Sequence, residues 1–147
     1  MRQGNFENAI AAFRQALSLE QRAPYSISLG KALLSANRTD SEESRREALA
    51  AFEQALGLEP ANALAHYEIG RLFSQTGNFK QAHEHLTRAI DLEPDFYEAY
   101  YALGNMCSRT GDREQSQKYL VLFERKKRAA MEQSIIGSGF VSEGREP

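Results

Sequence analysis

Three histidines, one cysteine and a scatter of serines and carboxylates are the side chains of this 147-residue sequence that could hold a metal or do catalysis. Their spacing argues against both. His83 and His85 are two apart, which on a helix puts them on different faces, so they cannot grip one ion together. His66 falls on a separate predicted helix, with no carboxylate or thiol at ligand spacing. All three are read as surface or packing residues, and neither a metal nor a cofactor is expected. Cys107 stands where Phe73 stands 34 residues earlier, so it reads as a buried small hydrophobe and not a nucleophile. The sequence contains no Gly-x-Ser-x-Gly elbow, phosphate-binding loop or dinucleotide fingerprint. No catalytic residue is assigned and the chain is not expected to be an enzyme.

The charge balance excludes other classes. Eighteen basic and 20 acidic residues leave a formal net charge of −2, which would draw neither nucleic acid nor an anionic membrane. The basic run Arg125-Lys126-Lys127-Arg128 reads as a solvated helical segment, with cations suited to the C-terminal half of a helix. No apolar run approaches the roughly 18 residues that span a bilayer. Met1-Arg2-Gln3-Gly4-Asn5 is polar and leads into no signal-like segment. With a single cysteine, no internal disulfide can form, and a cytoplasmic location is expected.

What remains is organisation, and it is periodic. Ala82-x3-Leu86-x2-Ala89-x2-Leu92-Glu93-Pro94 copies Ala48-x3-Phe52-x2-Ala55-x2-Leu58-Glu59-Pro60 at an offset of 34. The same offset carries Tyr67 to Tyr101, Ile69 to Leu103, Gly70 to Gly104 and Thr76-Gly77-Asn78 to Thr110-Gly111-Asp112. A further copy, Gly4-Asn5-Phe6-x2-Ala9-x3-Phe13-x2-Ala16, opens the chain. Apolar residues recur at spacings of three and four, the mark of a helix with one buried stripe. Gly77 and Gly111 suit the left-handed residue that ends a helix. Asn78 with Gln81, Asp112 with Gln115, and Asp95 with Glu98 read as capping boxes. Pro60 and Pro94 stop the second helix of a unit. Gly30, Gly70 and Gly104 fall inside helices, at a cost of about 1 kcal/mol each against alanine, and imply close approach of a neighbouring helix.

A unit of 34 residues with Leu/Ile-Gly, then Ala-x3-Phe/Leu-x2-Ala and a closing proline, resembles the tetratricopeptide repeat. The resemblance covers the second helix alone at 5–20, is good but interrupted at 25–60, close at 63–94 and good at 97–124. It implies an all-α, right-handed solenoid of about seven antiparallel helices, with a half repeat at the N-terminus and an extended last helix. It also implies a concave groove, lined by the first helices of the repeats, that holds a protein or peptide. The groove positions carried onto this chain are Ile27, Lys31, Tyr67, Arg71, Gln75, Tyr101, Asn105 and Arg109, with Ser74 and Ser108 beside them. Rings there supply contact area and the polar ends fix a backbone or a carboxylate. Some tetratricopeptide co-chaperones hold a C-terminal carboxylate in a clamp. This chain departs from that pattern, with Ile27 where the clamp has Lys and Lys31 where it has Asn.

The expected organisation is a partial repeat at 1–22, a repeat at 23–60 with an insertion at 37–46, a repeat at 61–94, a repeat at 95–134 with a long terminal helix, and a flexible tail at 135–147. In the insertion, Asp40 with Glu43 is expected to start the following helix early, by a turn or two. The first helix lacks a preceding partner, leaving a flank of Phe6, Ile10 and Phe13 open to other contacts. The function expected is a scaffold or adaptor. Two alternatives stay open: a regulatory or substrate-recruiting region of a larger enzyme, and a module that self-associates into a homo-oligomer through its terminal helices.

Overall fold

The computed structural model describes residues 2–36 and 41–138. Among them are seven helices and no strand: α1 Arg2–Leu19, α2 Ala23–Ala36, α3 Glu42–Leu58, α4 Ala63–Gln75, α5 Phe79–Leu92, α6 Tyr97–Thr110 and α7 Arg113–Gly137. The chain falls into two compact units, residues 1–92 and 93–147.

In the first unit each helix packs on the next, α1 on α2 through to α4 on α5. Its core joins Ile27, Leu29 and Leu33 of α2 to Ala48, Phe52 and Ala55 of α3 and Ile69 and Leu72 of α4. Ile10, Phe13 and Leu17 of α1 lie against this core half-buried, so the flank of the first helix faces α2 in part. In the second unit α6 and α7 form one antiparallel pair around Ala99, Leu103, Met106 and Cys107. Cys107 is buried there, as the Phe73 equivalence implied.

The intrahelical glycines mark where the helices close on one another. A Cβ built on Gly30 would sit 2.5 Å from the Phe52 ring, one on Gly70 2.6 Å from Leu86, and one on Gly104 2.8 Å from Leu120. These distances are shorter than any carbon–carbon contact tolerates, so the large residue of each second helix seats directly on the backbone of the first. Ala48, Ala55, Ala82 and Ala89 are wholly buried around the same contacts. In the last pair Ser116 replaces alanine, and its hydroxyl donates to the carbonyl of Gly104 at 2.8 Å, so the buried polar group is satisfied.

The turns follow the sequence in some places and not in others. Gly77 and Gly111 take φ of 82° and 85°, the left-handed conformation that costs glycine least. Asp112 caps α7 by accepting from the Gln115 amide at 3.1 Å. Asp95 does not cap α6: the cap position is Phe96, without a side-chain bond, and the Asp95 carboxylate lies 3.2 Å from Lys126 Nζ instead. Asn62 caps α4, accepting from the Ala65 amide at 3.0 Å. Ser41 caps α3, accepting from Ser44 N at 3.2 Å. The helix therefore starts early, as expected, but Asp40 lies outside the described residues and the observed cap is Ser41. Gly4 lies within α1 and not at a turn. α7 runs past 134 to Gly137, three residues into the expected tail. Residues 139–147 of that tail lie outside the described residues.

Two glycine substitutions separate close approach from mere flexibility. Gly70→Ala should lower stability by about 1–3 kcal/mol, because overpacking against Leu86 outweighs the gain in helix propensity. Gly57→Ala, in α3 with nothing within 4 Å, should raise it by up to about 1 kcal/mol. Urea denaturation of the two variants beside wild type checks both signs.

Candidate partner-binding face

The residues expected to meet a partner sit on α2, α4 and α6, and most keep their side chains at the surface. Lys31, Arg71, Gln75, Asn105 and Arg109 are exposed, Tyr67 is half-buried and Tyr101 is 49% exposed. Ile27 is the exception. It is 5% exposed and belongs to the core of the first unit, because an apolar side chain lowers its free energy by leaving water. It offers a partner almost nothing and drops out of the face.

In the first unit the face is a charged and aromatic cluster. The Arg71 guanidinium lies over the Tyr67 ring at 5.6 Å, and its Nη1 donates to Glu68 Oε2 at 3.3 Å. Glu68 is the residue that sequence reasoning missed. It is a carboxylate with 4% exposure. Burial pushes its carboxyl above the ordinary carboxylate value, while the charges of Arg71 and then Lys31 pull the other way. The field of Lys31 on α2 thus reaches a carboxylate on α4. Glu68 holds Arg71 in place against Tyr67, which fixes one long side chain before any partner arrives. The i, i+3 spacing of Glu68 and Arg71 was the signal available. Only the burial makes it consequential.

In the second unit the aromatic ring is shared with the neighbouring helix. Tyr101 packs on Phe123 of α7 at 5.0 Å between ring centroids, and Tyr97 packs on the same ring at 6.1 Å. Phe123 takes the place of an alanine one repeat earlier, and it supports these tyrosines from beneath. The basic run of α7 is not wholly solvated. Lys126 pairs with Asp95 and lies over the Tyr100 ring at 5.5 Å, and Lys127 lies over Phe123 at 5.4 Å. Both are half-buried because their aliphatic stems cover this aromatic patch. Arg125 and Arg128 stay exposed.

The histidines hold a second surprise. His66 Nδ1 and His85 Nδ1 are 3.0 Å apart, joining α4 to α5, and His66 Nε2 is 3.1 Å from the Pro60 carbonyl. A carbonyl only accepts, so Nε2 of His66 carries the hydrogen and its Nδ1 is bare in the neutral ring. His85 therefore donates from its own Nδ1. Burial, with the neighbouring His66, holds His85 below its usual histidine value, while Glu84 opposes this. His83 stays exposed on the other side of α5.

Family models described as tetratricopeptide repeat match residues 1–45, 41–103 and 97–122. The chain belongs to the tetratricopeptide repeat family. No curated protein matches it by sequence. Its fold is similar to the crystal structure of MamA protein, with a TM-score of 0.70 and 23% identity over 86% of this chain and 67% of that one. It is similar to MamA 41-end from Desulfovibrio magneticus RS-1, with a TM-score of 0.71 and 23% identity over 86% of this chain and 68% of that one. It is also similar to the second TPR of Spaghetti (RPAP3) bound to HSP90 peptide SRMEEVD, with a TM-score of 0.61 and 16% identity over 74% of this chain and 95% of that one. At such identities the likeness is one of fold. No helix among the described residues is long and apolar enough to cross a membrane.

The histidine pair gives stability a pH dependence of defined sign. His85 is harder to protonate folded than unfolded, so below about pH 6.5 the unfolded chain takes up a proton that the native state resists. Stability contributed by the neutral pair is complete above that pH and is lost as pH falls through the lowered native value. The loss has a slope of at most about 1.4 kcal/mol per pH unit. Urea midpoints for wild type and His85→Gln, followed from pH 7.5 downward, should converge; parallel curves would show that the pair carries no such linkage.

Proposed function

We propose that the chain is a protein-interaction scaffold that holds a segment of a partner protein against the exposed residues of α2 and α4 in the first unit, with α6 of the second unit offering a face of the same kind. The observation that carries this reading is the fixed cluster on α4. Arg71 is clamped between the Tyr67 ring and the buried Glu68, with the Lys31 charge beside it. A cation held in place loses less side-chain entropy when it meets a partner's carboxylate or carbonyl, and the ring beneath it adds apolar area. Tyr101, propped on Phe123, with Asn105 and Arg109 further along α6, presents the same kinds of group in the second unit. Lys31, Tyr67, Arg71, Gln75, Tyr101, Asn105 and Arg109 are the residues assigned to the contact. A tetratricopeptide domain of similar fold is solved with a peptide bound, which supports a segment as the thing held. The absent clamp residues argue that the segment is not read through a terminal carboxylate in the co-chaperone manner.

Affinity capture from the source-cell lysate tests this, with a Tyr67→Ala, Arg71→Ala, Tyr101→Ala variant run beside wild type. The variant should keep its helical circular dichroism and lose the partner, by tenfold or more in recovery if each anchor contributes about 1 kcal/mol or more. Equal recovery of the same partner by both proteins would remove the assignment.

A further inference from the structure

The long last helix carries a second stripe that the α6 pairing does not use. α7 meets α6 through Ser116, Leu120 and Phe123. One position round the helix lie Gln117, Val121, Glu124, Arg128, Met131 and Ile135, and all six are exposed. Val121 is 51% exposed, Met131 60% and Ile135 60%, three apolar side chains left in water along one stripe, with Ile136 beside them at 66%. A cleft of about 600 Å³ flanks the first four of the six. Their spacing alternates four and three. Val121, Arg128 and Ile135 fall seven apart, as do Gln117, Glu124 and Met131. That is the a and d seam of a coiled coil, and it runs roughly 27 Å at 1.5 Å per residue.

We propose that this seam pairs with the same seam of a second copy of the chain, antiparallel, with Glu124 of each copy against Arg128 of the other. The choice of occupant comes from the charges. In an antiparallel pair each a position faces a d position. Setting Glu124 opposite Arg128 then sets Val121 opposite Met131 and Ile135 opposite Gln117, each twice by the two-fold axis. Apolar layers meet apolar layers at Val121 and Met131, and opposite charges meet at the centre. A parallel pair in register would instead place Arg128 on Arg128 and Glu124 on Glu124, which repels. The seam is therefore complementary to itself in one orientation only. A polar layer in such a seam fixes register at a cost in stability. Arg125 of the two copies also meets near the axis, so the pair is reversible and not permanent. The seam uses residues of α7 alone and none of those assigned to the partner contact, so it stands apart from the function proposed above.

Sedimentation velocity over a wide concentration range tests the pairing on the full chain. Wild type should pass from monomer to dimer as concentration rises. Glu124→Arg alone, or Arg128→Glu alone, faces like charges across the seam and should weaken dimerisation about tenfold or more. The double variant carrying Glu124→Arg with Arg128→Glu restores both pairs with their signs exchanged and should return to the wild-type range. Both positions are exposed, and equal helical circular dichroism for all four proteins shows that none has unfolded. A wild type that stays monomeric would overturn the proposal and leave the seam to a different segment or a foreign helix. Single variants that dimerise like wild type, or a double variant that fails to recover, would overturn it as well.

Discussion

Everything in this fold rests on the direct seating of one large side chain on the backbone of the preceding helix. Phe52 on Gly30, Leu86 on Gly70 and Leu120 on Gly104 are the same contact made three times. Each requires that the first helix present no side chain there; alanines flank Phe52 and Leu86 on either side, and Ser116 with Phe123 flanks Leu120. The helices of a pair can then approach until a single bulky residue fills the space between them. Gly30 and Gly70 are 40 apart where Gly70 and Gly104 are 34 apart, yet the contact is unchanged. The six additional residues are absorbed before and in the first turn of α3, on its own cap at Ser41, and do not disturb the packing. Lengthening a loop costs little, whereas shifting a helix face by one residue would lose the contact.

Close pairing on one side of each first helix leaves the other side to do different work. On α4 that side holds a buried carboxylate, an arginine and a tyrosine in one cluster, with a lysine of α2 near enough to be felt. Burying Glu68 is unfavourable taken alone, as its raised pKa records, and the paired Arg71 offsets it. A group kept in an unfavourable setting to orient another is more informative about function than a solvated charge. On α7 the uncovered stripe is of another kind, charged in the middle at Glu124 and Arg128 with Val121 on one side and Met131 and Ile135 on the other, which suits a helix and not an extended segment.

The sequence alone was a good guide where a rule is local and repeats. The period of 34 marked the helices, the intrahelical glycines with the residues that seat on them, the left-handed turns and the buried Cys107. It was a poorer guide where two residues compete for one role. Asp95 and Glu98 have the spacing of a capping box, but Asp95 has a lysine within reach on α7, which no local pattern reveals. Ile27 occupies a groove position by register and lies in the core by packing. His66 and His85, 19 residues apart on different helices, meet only because α4 and α5 close as tightly as they do. Lys126 and Lys127 read as solvated charges until Phe123 and Tyr100 are placed beneath them. Each failure concerns a tertiary contact between elements that were themselves correctly anticipated.

A partner segment held on the first-helix faces would be located residue by residue by amide chemical shifts. Labelled protein would be titrated with the binding segment of a captured partner. Shifts should concentrate at Lys31, Arg71 and Gln75 and at Tyr101, Asn105 and Arg109, with α3 and α5 nearly silent. Shifts centred on α3 and α5, with those six amides unmoved, would contradict that placement.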